Sequence, residues 1–233
     1  MVVDLMNKRG KIITIEGLDG SGKATQTKLL EQKIASMGIN AKYVSFPDYD
    51  QPSSTLVKMY LNSEFGEKPS DVNAYAASSF FAIDRYASYM KSWKKYYNSG
   101  KIIVADRYIS SNIVYQMGKL PRDEWDNFIK WCLDYECIKL GLPMSDAVVY
   151  LSVPIDVSQS LMRKRYDGCE EKKDLHEKNI AFLEKCYLAA DYAVKKLGWF
   201  KINCMKNGIM RSRDDICEDV FNFAKEVILS GNF

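Results

Sequence analysis

Short apolar, β-branched runs alternate along the chain with longer stretches in which apolar residues recur at helical spacing. The short runs predict five strands, over residues 11–16, 41–46, 101–105, 147–152 and about 199–203. The stretches between them predict helices over 22–37, 53–63, 70–98, 107–118, 122–140, 155–166, 175–197 and 213–229. Strands that alternate with helices form mostly parallel sheets with helices on both faces. The pattern therefore predicts an α/β protein of three layers around a five-stranded, mostly parallel sheet, with the whole chain 1–233 as one domain.

The first predicted strand leads into a glycine-rich turn. Residues 17–23 fit the pattern G-x-x-x-x-G-K, and a strand before it and a helix after it are the context in which this pattern binds nucleotide phosphates. The loop's N–H groups converge on phosphate oxygens at the positive end of the helix, and Lys23 adds a mobile charge. A turn that binds nothing is the weaker interpretation, because pattern and context agree. We expect the nucleotide to contact Gly17, Gly20, Ser21, Gly22, Lys23, Ala24 and Thr25.

One position of this loop departs from the pattern. Ala24 stands where a serine or threonine hydroxyl usually reaches Mg²⁺. Thr25 is one residue further on, which is about 100° around a helix, so it cannot simply substitute. Bound Mg²⁺ normally keeps several waters and takes only one or two carboxylates. Carboxylates, phosphates and water are therefore expected to hold the ion.

The composition narrows the classes of function. The chain has 233 residues, 47% hydrophobic and 27% charged, as expected of a soluble globular protein. A net charge of +3 is too small to indicate a nucleic-acid partner. The six cysteines are scattered without a C-x-x-C pair, which favours reduced thiols in the cytoplasm over disulfides or a zinc site. No apolar run approaches a membrane span, and the first residues lack the features of a secretory leader.

A second candidate for phosphate chemistry follows the third predicted strand. Asp106 and Arg107 stand at its carboxyl end, beside the place expected for the phosphate loop. The carboxylate suits a Mg²⁺ water shell, and the guanidinium can grip a phosphate with two hydrogen bonds. An aspartate helix cap followed by a surface arginine is the structural alternative. The phosphate loop nearby favours the functional interpretation.

Several segments together resemble the thymidylate (dTMP) kinase family. The segment from Asp106 to Gln116 is similar to the family's D-R-Y-x-x-S-x-x-A-Y-Q, with Val114 in the alanine place. The other similar segments are the phosphate loop (Glu16 to Lys23), F-P-x-x (Phe46 to Tyr49), F-A-x-D-R (Phe81 to Arg85) and D-x-x-E (Asp174 to Glu177). They follow the family's order over most of the chain. This resemblance implies the P-loop kinase fold, with ATP as phosphate donor, dTMP as acceptor, Mg²⁺ as cofactor and a homodimer.

The resemblance also implies roles at the acceptor site. Phe81 would stack on thymine, Arg85 would donate to a thymine carbonyl, and Asn112, with Ser111 beside it, would pair with the base edge. Tyr115 would exclude a ribose hydroxyl, and Arg107 and Tyr49 would hold the monophosphate. Without the family context, a core phenylalanine, an ion-paired arginine, a helix-surface asparagine and a half-buried tyrosine remain the alternatives.

The remaining implied roles concern charge at the point of transfer. Asp19, unusual inside a phosphate loop, would serve the acceptor's sugar or the metal shell, and Asp106 is the other metal candidate. Gly20 stands where some family members carry an arginine, so the transition-state cation should come from a lid over about 163–176. Its candidates are Arg163, Arg165, Lys172 and Lys173, with Arg163 near ATP and Arg165 catalytic. For any one of these, a solvated helix end is the simpler interpretation. The single histidine, His176, is expected on a face of the lid helix, without a catalytic role.

The sequence thus predicts a Mg²⁺-dependent kinase that transfers the γ-phosphate of ATP to dTMP, with Lys23, Asp19, Arg107 and Arg165 as catalytic residues. Two alternatives stay open. One is a kinase of the same fold that acts on another nucleotide or a deoxynucleoside. The other is a non-catalytic nucleotide-binding protein, which Ala24 favours.

Overall fold

The computed structural model describes residues 9–169 and 173–230. Five parallel strands form one sheet in the order β2-β3-β1-β4-β5. Their bounds are β1 Ile12–Glu16, β2 Ala41–Ser45, β3 Ile102–Asp106, β4 Ala147–Ser152 and β5 Phe200–Asn203. The predicted fold class is confirmed. Because β1 occupies the centre, the glycine-rich turn at its carboxyl end has a neighbouring strand on each side.

Helices cover both faces of this sheet. They are α1 Lys23–Ser36, α2 Thr55–Leu61, α3 Ala74–Ser88, α4 Lys94–Asn98, α5 Ile109–Met117, α6 Trp125–Leu133, α7 Ile155–Arg165, α8 Ile180–Leu197 and α9 Arg213–Leu229. A π-helical turn, Tyr89–Trp93, joins α3 to α4, and a second, Asp134–Lys139, follows α6. None of the helices in the described ranges is both long enough and apolar enough to cross a lipid bilayer.

Successive residues of a strand face opposite sides of the sheet and therefore contribute to two different hydrophobic cores. Ile13 and Ile15 of β1 pack with α1 and α9, whereas Ile12 faces α5, α6 and α8 together with Ile103 of β3. This alternation follows from the two-residue period of a strand. All five residues of β1 are buried, as expected for the central strand of a sheet that is covered on both sides.

Some predicted boundaries are wrong. The helix predicted from residue 175 begins at Ile180, because Asn179 caps it by accepting a hydrogen bond from the Phe182 N–H at 2.9 Å. The helix predicted from residue 107 begins at Ile109. A short antiparallel hairpin, β6 Met205–Lys206 and β7 Ile209–Met210, follows β5 and was not predicted. Its strands have two residues each, too few to show a period.

Candidate active site

A cleft of about 1140 Å³ opens at the carboxyl ends of β1, β2 and β3. This is where open parallel sheets bind ligands. Ligand pockets usually span roughly 300–1,000 Å³, so the cleft has room for two nucleotides. Its walls come from the loops after these strands, from α3, α5 and α7, and from the β7–α9 connection.

The phosphate loop forms the floor of the cleft. Gly22 caps α1 in a left-handed conformation (φ 88°) without a side-chain hydrogen bond, so the first N–H groups of α1 remain available to a ligand. The Ser21 hydroxyl is buried and finds no hydrogen-bond partner within the described part of the chain. Such an atom needs a partner from outside the protein. The loop therefore has the geometry and an unmet donor that suit an anion.

Lys23 lies inside the loop rather than in solvent. Its Nζ donates to the Leu18 carbonyl at 2.8 Å and lies 4.0 Å from Oδ1 of Asp19. Burial, together with the charge of Arg107, lowers the pKa of Lys23 to about 8. A phosphate placed in the loop would offset both effects and favour the charged lysine.

Asp19, Arg107 and Tyr115 form a compact cluster above the loop. The Arg107 guanidinium is ion-paired with Asp19, and the Tyr115 hydroxyl donates to Oδ2 of Asp19 at 2.7 Å. Burial raises the pKa of Asp19, but the charges of Arg107 and Lys23 and the Tyr115 hydrogen bond outweigh it and lower this pKa to about 2. The sequence-predicted residues Asp19, Arg107 and Tyr115 are thus brought together.

A buried carboxylate supports Arg107 from below. Glu16 accepts hydrogen bonds from the hydroxyls of Ser110 at 2.8 Å and Ser111 at 2.7 Å and from the Gly17 N–H at 2.9 Å. It lies 3.6 Å from Nη1 of Arg107. The Ser111 hydroxyl, which was expected near the base, is therefore engaged by Glu16, although Ser111 lines the cleft.

The other predicted base-site residues lie at the far end of the same cleft. Phe81, Arg85 and Asn112 all line it, and Tyr49 stands half exposed at its edge. Arg85 and Asn112 are both bound to Glu136, a fully buried residue that the sequence analysis missed. Glu136 lies 24 residues beyond Asn112, in a stretch predicted only as helix, so no local signal could have identified it.

His176 does not lie on a helix face, so that prediction is wrong. It occupies the turn before α8, and it is buried. Its ring stacks on Tyr115 with a centroid distance of 5.4 Å, and its Nε2 hydrogen-bonds the Tyr60 hydroxyl at 2.8 Å. Asp174 causes the turn, because its Oδ1 accepts from the N–H groups of His176 and Glu177 at 2.8 and 2.9 Å. An aspartate that bonds its following backbone competes with helix formation.

The two predicted metal carboxylates differ in availability. Both oxygens of Asp19 are engaged, by Arg107 and Tyr115. Oδ1 of Asp106 is buried and accepts no hydrogen bond from any residue the structure describes, while Oδ2 lies 3.5 Å from the Tyr43 hydroxyl. Asp106 therefore offers the free carboxylate oxygen.

The lid candidates separate by position. Arg165 lines the cleft, whereas Arg163 is exposed and is not part of its wall. Lys173 is buried and donates to Oε1 of Gln159 at 3.2 Å. Lys172 lies outside the described residues. The end of β7 and its connection to α9 also line the cleft and were not predicted from the sequence; the residues are Met210, Arg211, Ser212 and Arg213.

Comparison with known proteins agrees with this geometry. A family model described as thymidylate kinase matches residues 15–216. The chain belongs to the thymidylate kinase family. The matched range includes every segment on which the resemblance was drawn, so that prediction is confirmed.

Individual relatives show how far the similarity extends. A thymidylate kinase from Plasmodium falciparum is 28% identical over 193 residues, which cover 82% of this chain and 85% of the relative. One from Mycobacterium tuberculosis (strain H37Rv) is 30% identical over 155 residues, covering 66% and 71%. The solved thymidylate kinase of Candida albicans shares the fold, with a TM-score of 0.70 at 22% identity over 94% of each chain. The roles of single site residues in this family member remain predictions.

Proposed function

We propose that this protein transfers the γ-phosphoryl group of ATP to dTMP, giving dTDP and ADP. The observation that carries the proposal is the single cleft that joins the phosphate loop to the Phe81–Arg85–Asn112 end, with Arg107 between them. The loop suits the donor phosphates, the far end suits a pyrimidine, and Arg107 suits the acceptor phosphate. Family membership supports the same reaction.

The reaction needs positioning and charge more than it needs a base. A monophosphate oxygen attacks the γ-phosphorus, the bond from that phosphorus to the β,γ-bridging oxygen breaks, and ADP leaves with the electron pair. The acceptor phosphate is anionic near neutral pH, so no side chain has to remove a proton. Lys23 and the N–H groups of the loop hold the donor, and Arg107 orients the acceptor.

The residues present fit a Mg²⁺ ion. The unpartnered, buried Oδ1 of Asp106 would hold it, directly or through water, together with substrate phosphates. When bound, the ion would supply positive charge that offsets the negative charge of the donor phosphates. Asp19, the other predicted ligand, is less available, because each of its oxygens already accepts a hydrogen bond, from Arg107 and from Tyr115. The missing hydroxyl at Ala24 thus does not exclude the ion.

The segment over about 163–176 is proposed to close over ATP, with Arg165 as its cation. Arg165 is exposed at the end of α7 and lines the same cleft as the phosphate loop, which supports its assignment as the cation of the lid. Arg163 is exposed and does not line the cleft, which weakens its predicted contact with ATP.

A homodimer is proposed as the working form. Ile83, Tyr86 and Met90 are exposed and lie at spacings of three and four residues on α3 and the following π-helical turn. Together with exposed Tyr75, they form an apolar stripe, and such stripes mark interaction surfaces.

All six cysteines are free thiols, which supports the proposed cytoplasmic location.

A substrate panel tests the reaction. Purified protein with Mg²⁺ and ATP is offered dTMP, dUMP, dCMP, dGMP, AMP and thymidine, and ADP release is followed by a coupled assay. We expect dTMP to give the highest kcat/KM and Lys23→Ala to remove the activity. Preference for another nucleotide or for thymidine would favour the alternative kinases. ATP binding without turnover of any acceptor would favour a non-catalytic protein.

A further inference from the structure

Glu136 has no contact with the cleft but holds two residues that line it. It sits on the π-helical turn Asp134–Lys139 with none of its side chain exposed. Its Oε2 accepts from Nε of Arg85 at 2.7 Å, and its Oε1 accepts from Nη2 of Arg85 at 2.7 Å. The same Oε1 accepts from Nδ2 of Asn112 at 2.8 Å. A buried bidentate ion pair of this kind fixes the plane of a guanidinium.

These contacts settle which way the Asn112 amide points. The second Nδ2 hydrogen of Asn112 goes to the Ser78 carbonyl at 3.1 Å. A carboxylate and a carbonyl are both acceptors only, so the NH₂ group must face them and the amide oxygen cannot. Both donors of Asn112 are therefore used inside the protein, and Oδ1 is left for a ligand.

The hydrogen-bond donors of Arg85 are likewise divided between the protein interior and the cleft. Nε and Nη2 are engaged by Glu136, and Nη1 donates to no side chain or carbonyl in the described ranges. Because Arg85 lines the cleft, Nη1 is the donor it can present there. The base end of the cleft thus offers one acceptor, Oδ1 of Asn112, and one donor, Nη1 of Arg85.

That pair is complementary to an imide, with its N–H beside a C=O, as in thymine and uracil. It is opposed to cytosine, which offers an acceptor at N3 and an amine at C4. A desolvated mismatch of this kind leaves buried polar groups unpaired and is strongly disfavoured.

We propose that Glu136 is the positioning residue that fixes the donor–acceptor polarity of Arg85 and Asn112 and thereby sets selectivity for an imide pyrimidine over cytosine. The inference rests on the proposed function, since it requires the acceptor's base to occupy this end of the cleft. Glu136 itself touches no substrate and acts only through the two residues it holds.

The test compares kcat/KM for dTMP, dUMP and dCMP in the wild type, Glu136→Gln and Glu136→Asp. A glutamine can offer its own NH₂ group to Asn112 and has only one acceptor oxygen to share with Arg85. The Asn112 amide is then held by the Ser78 carbonyl alone, and the plane of the Arg85 guanidinium is no longer fixed. We expect the dTMP-to-dCMP ratio to fall about tenfold in Glu136→Gln, since Arg85 remains a donor in any orientation. The dTMP-to-dUMP ratio should stay constant, because both bases carry the imide. Glu136→Asp, still an acceptor only, should keep the dTMP-to-dCMP ratio even if overall turnover falls.

Controls separate selectivity from damage. Asp146→Asn is the matched carboxylate-to-amide change, because Asp146 binds the Ile12 N–H at 2.7 Å, at the opposite end of β1. It should leave all ratios unchanged. An equal loss with dTMP and dCMP in Glu136→Gln would make Glu136 merely structural and overturn the inference.

Should Glu136→Gln fail to fold, the wild type still gives a result. N3-methyl-dTMP lacks the N–H that Oδ1 of Asn112 must receive, so we expect its kcat/KM to be about a hundredfold below that of dTMP. Equal use of both nucleotides would overturn the fixed polarity. A wild type that does not phosphorylate dTMP at all would overturn the proposed function, a result distinct from a dTMP-selective wild type whose selectivity survives Glu136→Gln.

Discussion

Arg107 occupies a left-handed backbone conformation (φ 65°) directly after β3. For a residue other than glycine this conformation costs about 1–3 kcal/mol and persists only when the surroundings enforce it. Here the Arg107 N–H is bound to the Ile15 carbonyl at 3.1 Å, and the side chain is held by Asp19. This backbone conformation directs the guanidinium towards Asp19 of the phosphate loop, where the acceptor phosphate is proposed to lie.

The ring of Tyr115 is expected to exclude a ribose hydroxyl by steric contact, and its hydroxyl donates a hydrogen bond to Asp19. Tyr115→Phe should therefore keep the preference for dTMP over ribothymidylate, while kcat/KM for dTMP falls several-fold through the lost Asp19 hydrogen bond. Tyr115→Ala should relax the sugar preference, on the order of tenfold. Steady-state kinetics with both nucleotides measure this. Tyr192→Phe, whose hydroxyl binds Asp126 away from the cleft, is the matched control. An unchanged preference in Tyr115→Ala would show that the sugar is recognised elsewhere.

Asp174 and His176 have opposite linkage to pH. Burial and then the charges of Asp19 and Glu177 raise the pKa of Asp174 from 3.8 to about 7, so its contribution to stability declines as pH rises through this interval. Burial and then the charge of Lys119 lower the pKa of His176 from 6.5 to about 3, so its contribution grows as pH rises through that interval. Between about pH 4 and pH 6.5 the two contributions oppose each other.

Single substitutions should separate these contributions. Between about pH 4 and pH 6.5, the free energy of unfolding of Asp174→Asn should rise more steeply with pH than that of the wild type. For His176→Phe the slope should be lower than that of the wild type. One proton of linkage corresponds to about 1.4 kcal/mol per pH unit at most. Urea unfolding across this window measures the slopes, and subtracting the wild-type slope removes the contribution of other groups. Slopes equal to that of the wild type in both variants would contradict the buried placement of these residues.

Helix α7 carries two arginines that differ in direction, and this makes a paired test of the lid. Arg165→Ala should lower kcat by about a hundredfold with a modest change in KM for ATP, because a cation that arrives on closure acts mainly in the transition state. Arg163→Ala, two positions earlier on the same helix, should stay within a few-fold of the wild type. Similar small effects in both variants would leave Mg²⁺ and Lys23 as the charges that act on the transferred group.

The strands and most helices could be predicted from sequence because hydrophobic period is a local property of the chain. The ends of the helices were predicted less well. The stretch around His176 has apolar residues at helical spacing, yet the Asp174 carboxylate captures two backbone N–H groups and delays the helix to Ile180. The hairpin β6–β7 is too short to carry a period, so the cleft wall that it leads into was missed as well.

The residues of the candidate site also fall into those that local sequence patterns could predict and those that depend on long-range contacts. Lys23, Asp19 and Arg107 stand in contiguous motifs, and the topology of a parallel sheet brings such motifs to one edge, so their proximity could be expected. Glu136 and His176 form hydrogen bonds with residues far away in sequence, 24 positions away at Asn112 and 116 positions away at Tyr60. No spacing rule encodes such pairs, and only the folded chain shows them.

The apolar stripe on α3 predicts the assembly of the whole molecule. If it is the contact between two copies, Ile83→Glu should give a monomer, because a charge in the core of an interface is strongly disfavoured. Light scattering coupled to size-exclusion chromatography measures the mass. Ile209→Glu alters an exposed isoleucine on β7 and should leave the dimer intact. A wild type that is monomeric at all concentrations would contradict the proposed homodimer.

Gly20 limits which sequences this molecule can reach by gradual change. It has a φ of 80°, and a Cβ there would meet the Ser158 carbonyl of α7 at 2.5 Å. An arginine at this position, the arrangement known from other members of the family, therefore cannot arise by one substitution while α7 stays in place. To convert one arrangement into the other, the loop at Gly20 and helix α7 must change together. A protein with only one of these two changes would be less stable. For inhibitor design, a compound directed at an arginine in the position of Gly20 has no counterpart to bind in this protein, whose loop carries its cation at Lys23.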